Sequence, residues 1–141
     1  MPIRILLDAS PLSRVCHPRL SLEITTWLFG QLRAGSEIII SEVADYEVRR
    51  ELIRLGKKTS IRRLDALQQS LGYEAITTLT MRRAAELWAE VRARGMPTAD
   101  AAALDCDVII GAQAELLDAV VATENSKHLG LFADARHWRD I

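Results

Sequence analysis

Three carboxylates stand where the residues around them give little ordinary reason for charge. Asp8 ends the aliphatic run "IRILLD", Glu47 falls on the apolar stripe of "SEVADYEVRREL", and Asp107 heads the small-residue stripe of "DVIIGAQA". An acid on the buried side of an element is costly unless something pairs with it. Taken singly, each has a structural explanation. Asp8 can cap the helix that follows, Glu47 can snorkel to Arg50 or Arg54, and Asp107 suits the first turn of a helix whose N-cap is Asp105. As a set they read differently. Brought together with the loop at Asn125, three carboxylates cannot all stay ionised, because repulsion and desolvation both raise their pKa values. A hard divalent ion with oxygen ligands, Mg2+ or Mn2+, resolves that conflict.

Convergence requires elements that deliver these residues to one edge. Ile3 to Leu7 reads as a buried strand, and Leu20 to Leu32 carries apolar residues at helical spacing up to Gly35. "EIII" is a second strand, Ser41 stands at an N-cap position, and a helix runs on to Gly56, with an inward stripe of Val43, Ala44, Val48, Leu52 and Leu55. A helix over Ser60–Leu71 closes at Gly72. "EAITTL" is then a third strand, and Thr80 caps a helix of Met81–Arg94 ended by Gly95 and Pro97. A helix over about Leu104–Leu117 leads into a fourth strand, "DAVVATE". A polar loop with Asn125, Ser126, Lys127 and His128 comes next, and the tail "DARHWRDI" holds a last short strand. Strands alternating with helices predict one α/β domain over residues 1–141, with a mainly parallel sheet of four to five strands flanked by helices. In such sheets ligands bind at the carboxyl ends of the strands, where Asp8 and Asn125 fall.

Bulk properties agree with a soluble globular protein. The chain has 141 residues, 49% apolar and 26% charged, which suits one domain with a core of its own. No apolar run approaches the roughly 20 residues of a membrane span, and no leader pattern is seen, so a cytoplasmic location and no membrane partner are expected. Cys16 and Cys106 form no CxxC pair, which leaves zinc and redox motifs unsupported. The net charge of −1 hides an asymmetry. Arg49 to Arg63 contains seven bases and the single acid Glu51, whereas Asp100 to Glu124 contains six acids and no base. A protein that handles a polyanion beside a metal uses both regions, although solvated helix faces explain each run alone.

The ordered set "LLDAS", "SEVADYEVRREL", "DCDVIIGAQA" and "VATENSKHL" resembles the PIN-domain family, and within it the VapC-type toxins of bacterial toxin–antitoxin pairs. The resemblance runs from Ile3 to about Trp138. It implies that Asp8, Glu47 and Asp107 are the catalytic acids and hold Mg2+ or Mn2+. Asn125 matches the fourth position of a T-x-[DN]-x-x-H-F pattern, where many members have an acid, and Asp105 or Glu124 are alternative sources of that charge. Leu129 replaces the pattern's phenylalanine. Ser10 and Thr123 are expected to support the acids, and Arg49, Arg50 and Arg54 to guide RNA toward them. The implied activity is hydrolysis of RNA phosphodiester bonds, and the implied partners are RNA, an antitoxin and a second copy of the chain.

Competing classes are a PIN-like module that binds RNA or protein without catalysis, kept open by Asn125, and a signalling receiver domain. The receiver lacks an acid at the end of "EAITTL". A nucleotide-cofactor enzyme would need a GxGxxG or Walker-type loop, and none is present.

Overall fold

The computed structural model describes residues 2–19, 21–95 and 101–141, the side chains of 101–103 excepted, so Leu20, Pro97 and Asp100 lie outside it. Strand β1 (Arg4–Leu7) leads through helices α1 (Ala9–Cys16) and α2 (Leu22–Arg33) to β2 (Glu37–Ser41). Helices α3 (Glu42–Arg54) and α4 (Lys58–Ser70) then lead to β3 (Gly72–Glu74). From there α5 (Thr78–Ala93) and α6 (Ala101–Leu117) return the chain to β4 (Val120–Thr123), and α7 (Ser126–Leu129) precedes β5 (Ala135–His137). A turn of 3-10 helix, Trp138–Asp140, follows.

The five strands form one all-parallel sheet in the order β3-β2-β1-β4-β5. Strand β1 is central, and Ile5, Leu6 and Leu7 are all fully buried, as expected when helices cover both faces of a parallel sheet. The order reverses at β1, with β2 and β3 on one side and β4 and β5 on the other. The carboxyl ends of β1 and β4 therefore open on the crevice where α/β sheets bind ligands. Asp8 leaves β1 at this crevice and Asn125 leaves β4.

The third strand lies earlier than "EAITTL" suggests. Its residues are Gly72–Glu74, and the backbone beyond is claimed by side chains: Gln113 Nε2 donates to the Glu74 carbonyl at 3.0 Å, and the Ile76 N–H donates to Glu42 at 2.9 Å. Thr77 then caps α5 by accepting the Thr80 N–H at 3.1 Å, so Thr80 receives the cap that it was expected to provide. Ser41 stands at the N-cap position of α3, but its hydroxyl donates to Gln113 Oε1 at 2.6 Å and makes no cap bond. Gln113, buried in α6, thereby ties β2 and β3 to that helix. Asp105 lies inside α6 rather than capping it, because the helix starts at Ala101. A helix does follow Asp8, as α1, and the polar loop read after Asn125 is helical too, as α7. Val43, Ala44 and Val48 face the core and Leu52 is half-buried, whereas Leu55 is 51% exposed.

A second apolar cluster joins α5 and α6: Ala84, Leu87, Val91, Leu104, Val108, Ala112 and Phe132. Phe132 packs on Gly111 so tightly that a Cβ added there would lie 2.6 Å from the Phe132 Cβ. We expect Gly111→Ala to destabilise the fold by about 1–3 kcal/mol in urea denaturation, despite the roughly 1 kcal/mol that alanine gains in an unstrained helix.

Candidate active site

Asp8, Glu47, Asp107 and Asn125 line one cavity of about 490 Å3, together with Ala9, Ser10, Arg50, Cys106 and His128. Four separate parts of the chain supply them, all at the carboxyl edge of the sheet. Asp8 follows β1 directly and holds the N-cap position of α1, yet it makes no cap bond. Its Oδ2 instead accepts the Thr123 hydroxyl at 2.7 Å, and its N–H donates to the Ala122 carbonyl at 3.0 Å. Thr123 is fully buried, and its Oγ1 also accepts the Asn125 N–H at 2.9 Å. One hydroxyl thus sets the position of an acid and of the amide residue facing it. The Ser10 hydroxyl does similar work by accepting the Glu124 N–H at 3.0 Å.

Electrostatics couple the acids. Burial raises the Asp8 pKa, opposed by hydrogen bonds from Thr123 and the Ala9 N–H. Burial also raises Glu47, and the charges of Asp8 and Asp107 add to the effect, while Arg50 and the Cys106 thiol lower it. Asp107 is pushed up to about 6, by burial first and then by Asp8, with His128 opposing. These are the marks of carboxylates forced to share a poorly solvated site. Asp8, Glu47, Asp107 and Asn125 all offer oxygen, which suits a hard divalent cation such as Mg2+ or Mn2+. As placed, no three His, Cys, Asp or Glu side chains among the described residues close on a single point. An ion that keeps several of its waters needs only one or two direct carboxylates and fits an open arrangement of this kind.

Not every expected residue joins the site. Asp105 is exposed and lines the groove between α5 and α6, on another face of its helix. Glu124 is held by Arg14 through two bonds of 2.6 and 2.7 Å, so its charge is already matched. Of the three arginines expected to guide RNA, only Arg50 borders the cavity; its guanidinium lies 4.9 Å from the Tyr46 ring centre. Arg49 bridges Asp45 and Asp65, and Arg54 pairs with Glu51. Glu47 has no salt bridge to either Arg50 or Arg54, so the snorkelling explanation for it fails. Cys106, Arg14 and Gln113 were not anticipated in these roles. Only Gln113 gave a signal, as a polar residue inside an apolar stripe.

Comparison with known proteins agrees with this fold. The model of the PIN domain family matches residues 5–134. Among solved structures, VapBC2 from Rickettsia felis, bound to a DNA fragment from its promoter, superposes with a TM-score of 0.79 at 16% identity, covering 96% of this chain and 99% of that one. FitAcB from Neisseria gonorrhoeae gives 0.72 at 18% identity, with 97% and 99% covered. VapBC-1 from nontypeable Haemophilus influenzae gives 0.70 at 18%, again with 97% and 99% covered. At such identities the likeness is one of fold. No curated protein sequence matches the chain. The family match begins inside β1 and ends just short of β5, so it takes in every residue of the acidic cavity, and on that match the chain belongs to the PIN-domain family.

Proposed function

We propose that this chain is a Mg2+- or Mn2+-dependent endoribonuclease of the cytoplasm, the VapC-type toxin of a toxin–antitoxin pair. The observation that carries the reading is the meeting of Asp8, Glu47 and Asp107, from three distant stretches of sequence, in one cavity at the switch point of the sheet. The likeness to VapBC and FitAB structures supports an antitoxin partner; a homodimer is proposed only on the resemblance of the sequence to VapC-type toxins. No helix among the described residues is long and apolar enough to cross a membrane.

In this reading Asp8, Glu47 and Asp107 hold the ion, and Asn125 adds a carbonyl oxygen without charge. The chemistry that the ion supplies when bound is activation of water for in-line attack on phosphorus and neutralisation of charge on the leaving oxygen. Thr123 fixes the Asp8 carboxylate through its hydroxyl, and Ser10 holds the end of β4 against α1. Arg50, on the rim, faces an incoming phosphate. Asn125 favours a second reading, a PIN-like module that binds RNA or protein with little or no catalysis.

Cleavage of a mixed RNA pool by purified, antitoxin-free protein separates the two. Activity with Mg2+ or Mn2+, its loss in EDTA, and a fall of at least about 100-fold in folded Asp8→Asn are expected; a folded protein inactive with both ions leaves the binding module. Removing the supporting hydroxyl with Thr123→Val lowers the rate about tenfold, whereas Thr123→Ser restores it. The raised Asp107 pKa also sets a stability trend. The native state binds this proton more tightly than the unfolded chain, so metal-free protein loses stability as pH rises from about 4 to about 6. Thermal unfolding in EDTA therefore gives a higher Tm at pH 5 than at pH 7.5, and Asp107→Asn raises the pH 7.5 value by about 3 °C.

A further inference from the structure

Of the four arginines on α1 and α3, three are already paired. Arg14 holds Glu124, Arg49 bridges Asp45 and Asp65, and Arg54 binds Glu51. The fourth, Arg50, makes no salt bridge among the described residues. That is unexpected, because Glu47 lies three residues earlier on the same helix, a spacing at which side chains readily meet. Arg50 rests instead on the Tyr46 ring, whose centre is 4.9 Å from the guanidinium. A guanidinium laid on a ring face keeps N–H groups for another acceptor. The ring thus holds Arg50 off Glu47 and leaves the Glu47 carboxylate open to the cavity.

Among the described residues that line that cavity, Arg50 is the only lysine or arginine. Burial raises the pKa of Glu47 and of Cys106, and the charge of Arg50 opposes it in both. Three carboxylates carry the negative charge of the site, since Asn125 is neutral and Glu124 is turned to Arg14. Nucleases with two divalent ions need acids for both. Here one ion and one fixed guanidinium already match the acids. A second ion beside Arg50 meets repulsion and finds no further carboxylate on the cavity wall.

We propose that Arg50 is a catalytic residue: its guanidinium grips the nonbridging oxygens of the scissile phosphate and supplies the charge that a second ion would bring, with Tyr46 as its positioning residue. This role rests on the nuclease reading and deepens it to a one-ion site completed by an arginine. Hydrolysis makes a bond from a water oxygen to phosphorus and breaks the bond to the leaving oxygen, which departs with the electron pair. Negative charge on the nonbridging oxygens grows as water adds, and a planar fork of N–H donors fits two of them at once. Arg50 stays protonated throughout, so the proton lost by water and the proton gained by the leaving oxygen are exchanged with solvent.

The test uses the full, antitoxin-free chain with two readouts: Mn2+ binding, from the electron paramagnetic resonance of the free ion, and single-turnover cleavage of a mixed RNA pool. Wild type is expected to bind one Mn2+ per chain. Arg50→Ala binds Mn2+ at least as tightly, because a repelling charge is gone, yet cleaves at least about 100-fold more slowly at saturating enzyme. Arg50→Lys, a point charge without the fork, recovers about tenfold at most. Guanidinium ion at tens of millimolar restores part of the Arg50→Ala rate. Tyr46→Ala lets Arg50 pair with Glu47 and weakens Mn2+ binding about threefold, whereas Tyr46→Phe keeps the ring and behaves as wild type. Both side chains are exposed, and circular dichroism checks that each variant is folded. Two Mn2+ per wild-type chain, an unimpaired Arg50→Ala, a loss in that variant confined to RNA affinity, or a parallel loss of its Mn2+ binding overturns the catalytic role. Mn2+ binding unchanged in Tyr46→Ala overturns the positioning role. Wild-type protein that cleaves no RNA, with or without bound Mn2+, removes the nuclease reading itself.

Discussion

The demand that carboxylates share a site poor in water governs this structure. Asp8 is delivered there by the central strand, and two further acids line the same cavity. Repulsion alone would drive such groups apart or protonate them. The protein resists by making the surrounding frame rigid. Asp8 is tied to β4 through Thr123, β4 is tied to α1 through Ser10 and Glu124, and α6 is locked to β2 and β3 through Gln113. These are short bonds between elements far apart in sequence.

The central strands were legible because burial on both faces leaves an unbroken aliphatic run that few other arrangements produce. The strand read over Ile3–Leu7 pairs with "EIII" on one side and with the strand of "DAVVATE" on the other. The third strand was misplaced for a physical reason. "EAITTL" has the composition of a strand, but the backbone after Glu74 is bonded by Gln113 and Glu42, a fact of tertiary structure that no local pattern contains. Helix α7 escaped notice because it is short and lies among polar residues where turn signals dominate. At the site, the three acids were legible as misfits on apolar stripes. The pairing of Glu124 with Arg14 was not, since 110 residues separate the partners.

Departures from the family's pattern make sense when taken together. Leu129 fills the place where a phenylalanine is usual and packs into the main core. The chain does carry a phenylalanine, three residues later, and Phe132 joins the second cluster between α5 and α6. Gly111 carries no side chain, and Phe132 occupies the space a methyl would take there. Leu129 in the main core and Phe132 on Gly111 thus anchor the chain on both sides of Gly130.

The Arg14–Glu124 pair also bears on how the cavity meets its substrate. With Glu124 matched and Asn125 uncharged, the fixed charge of the cavity is that of Asp8, Glu47 and Asp107, with Arg50 on the rim. In the proposed nuclease, one divalent ion together with the Arg50 guanidinium would balance it. A phosphodiester reaching the cavity would then meet little net charge at long range, and salt, which screens over roughly 10 Å at 0.1 M, would act on encounter more than on turnover.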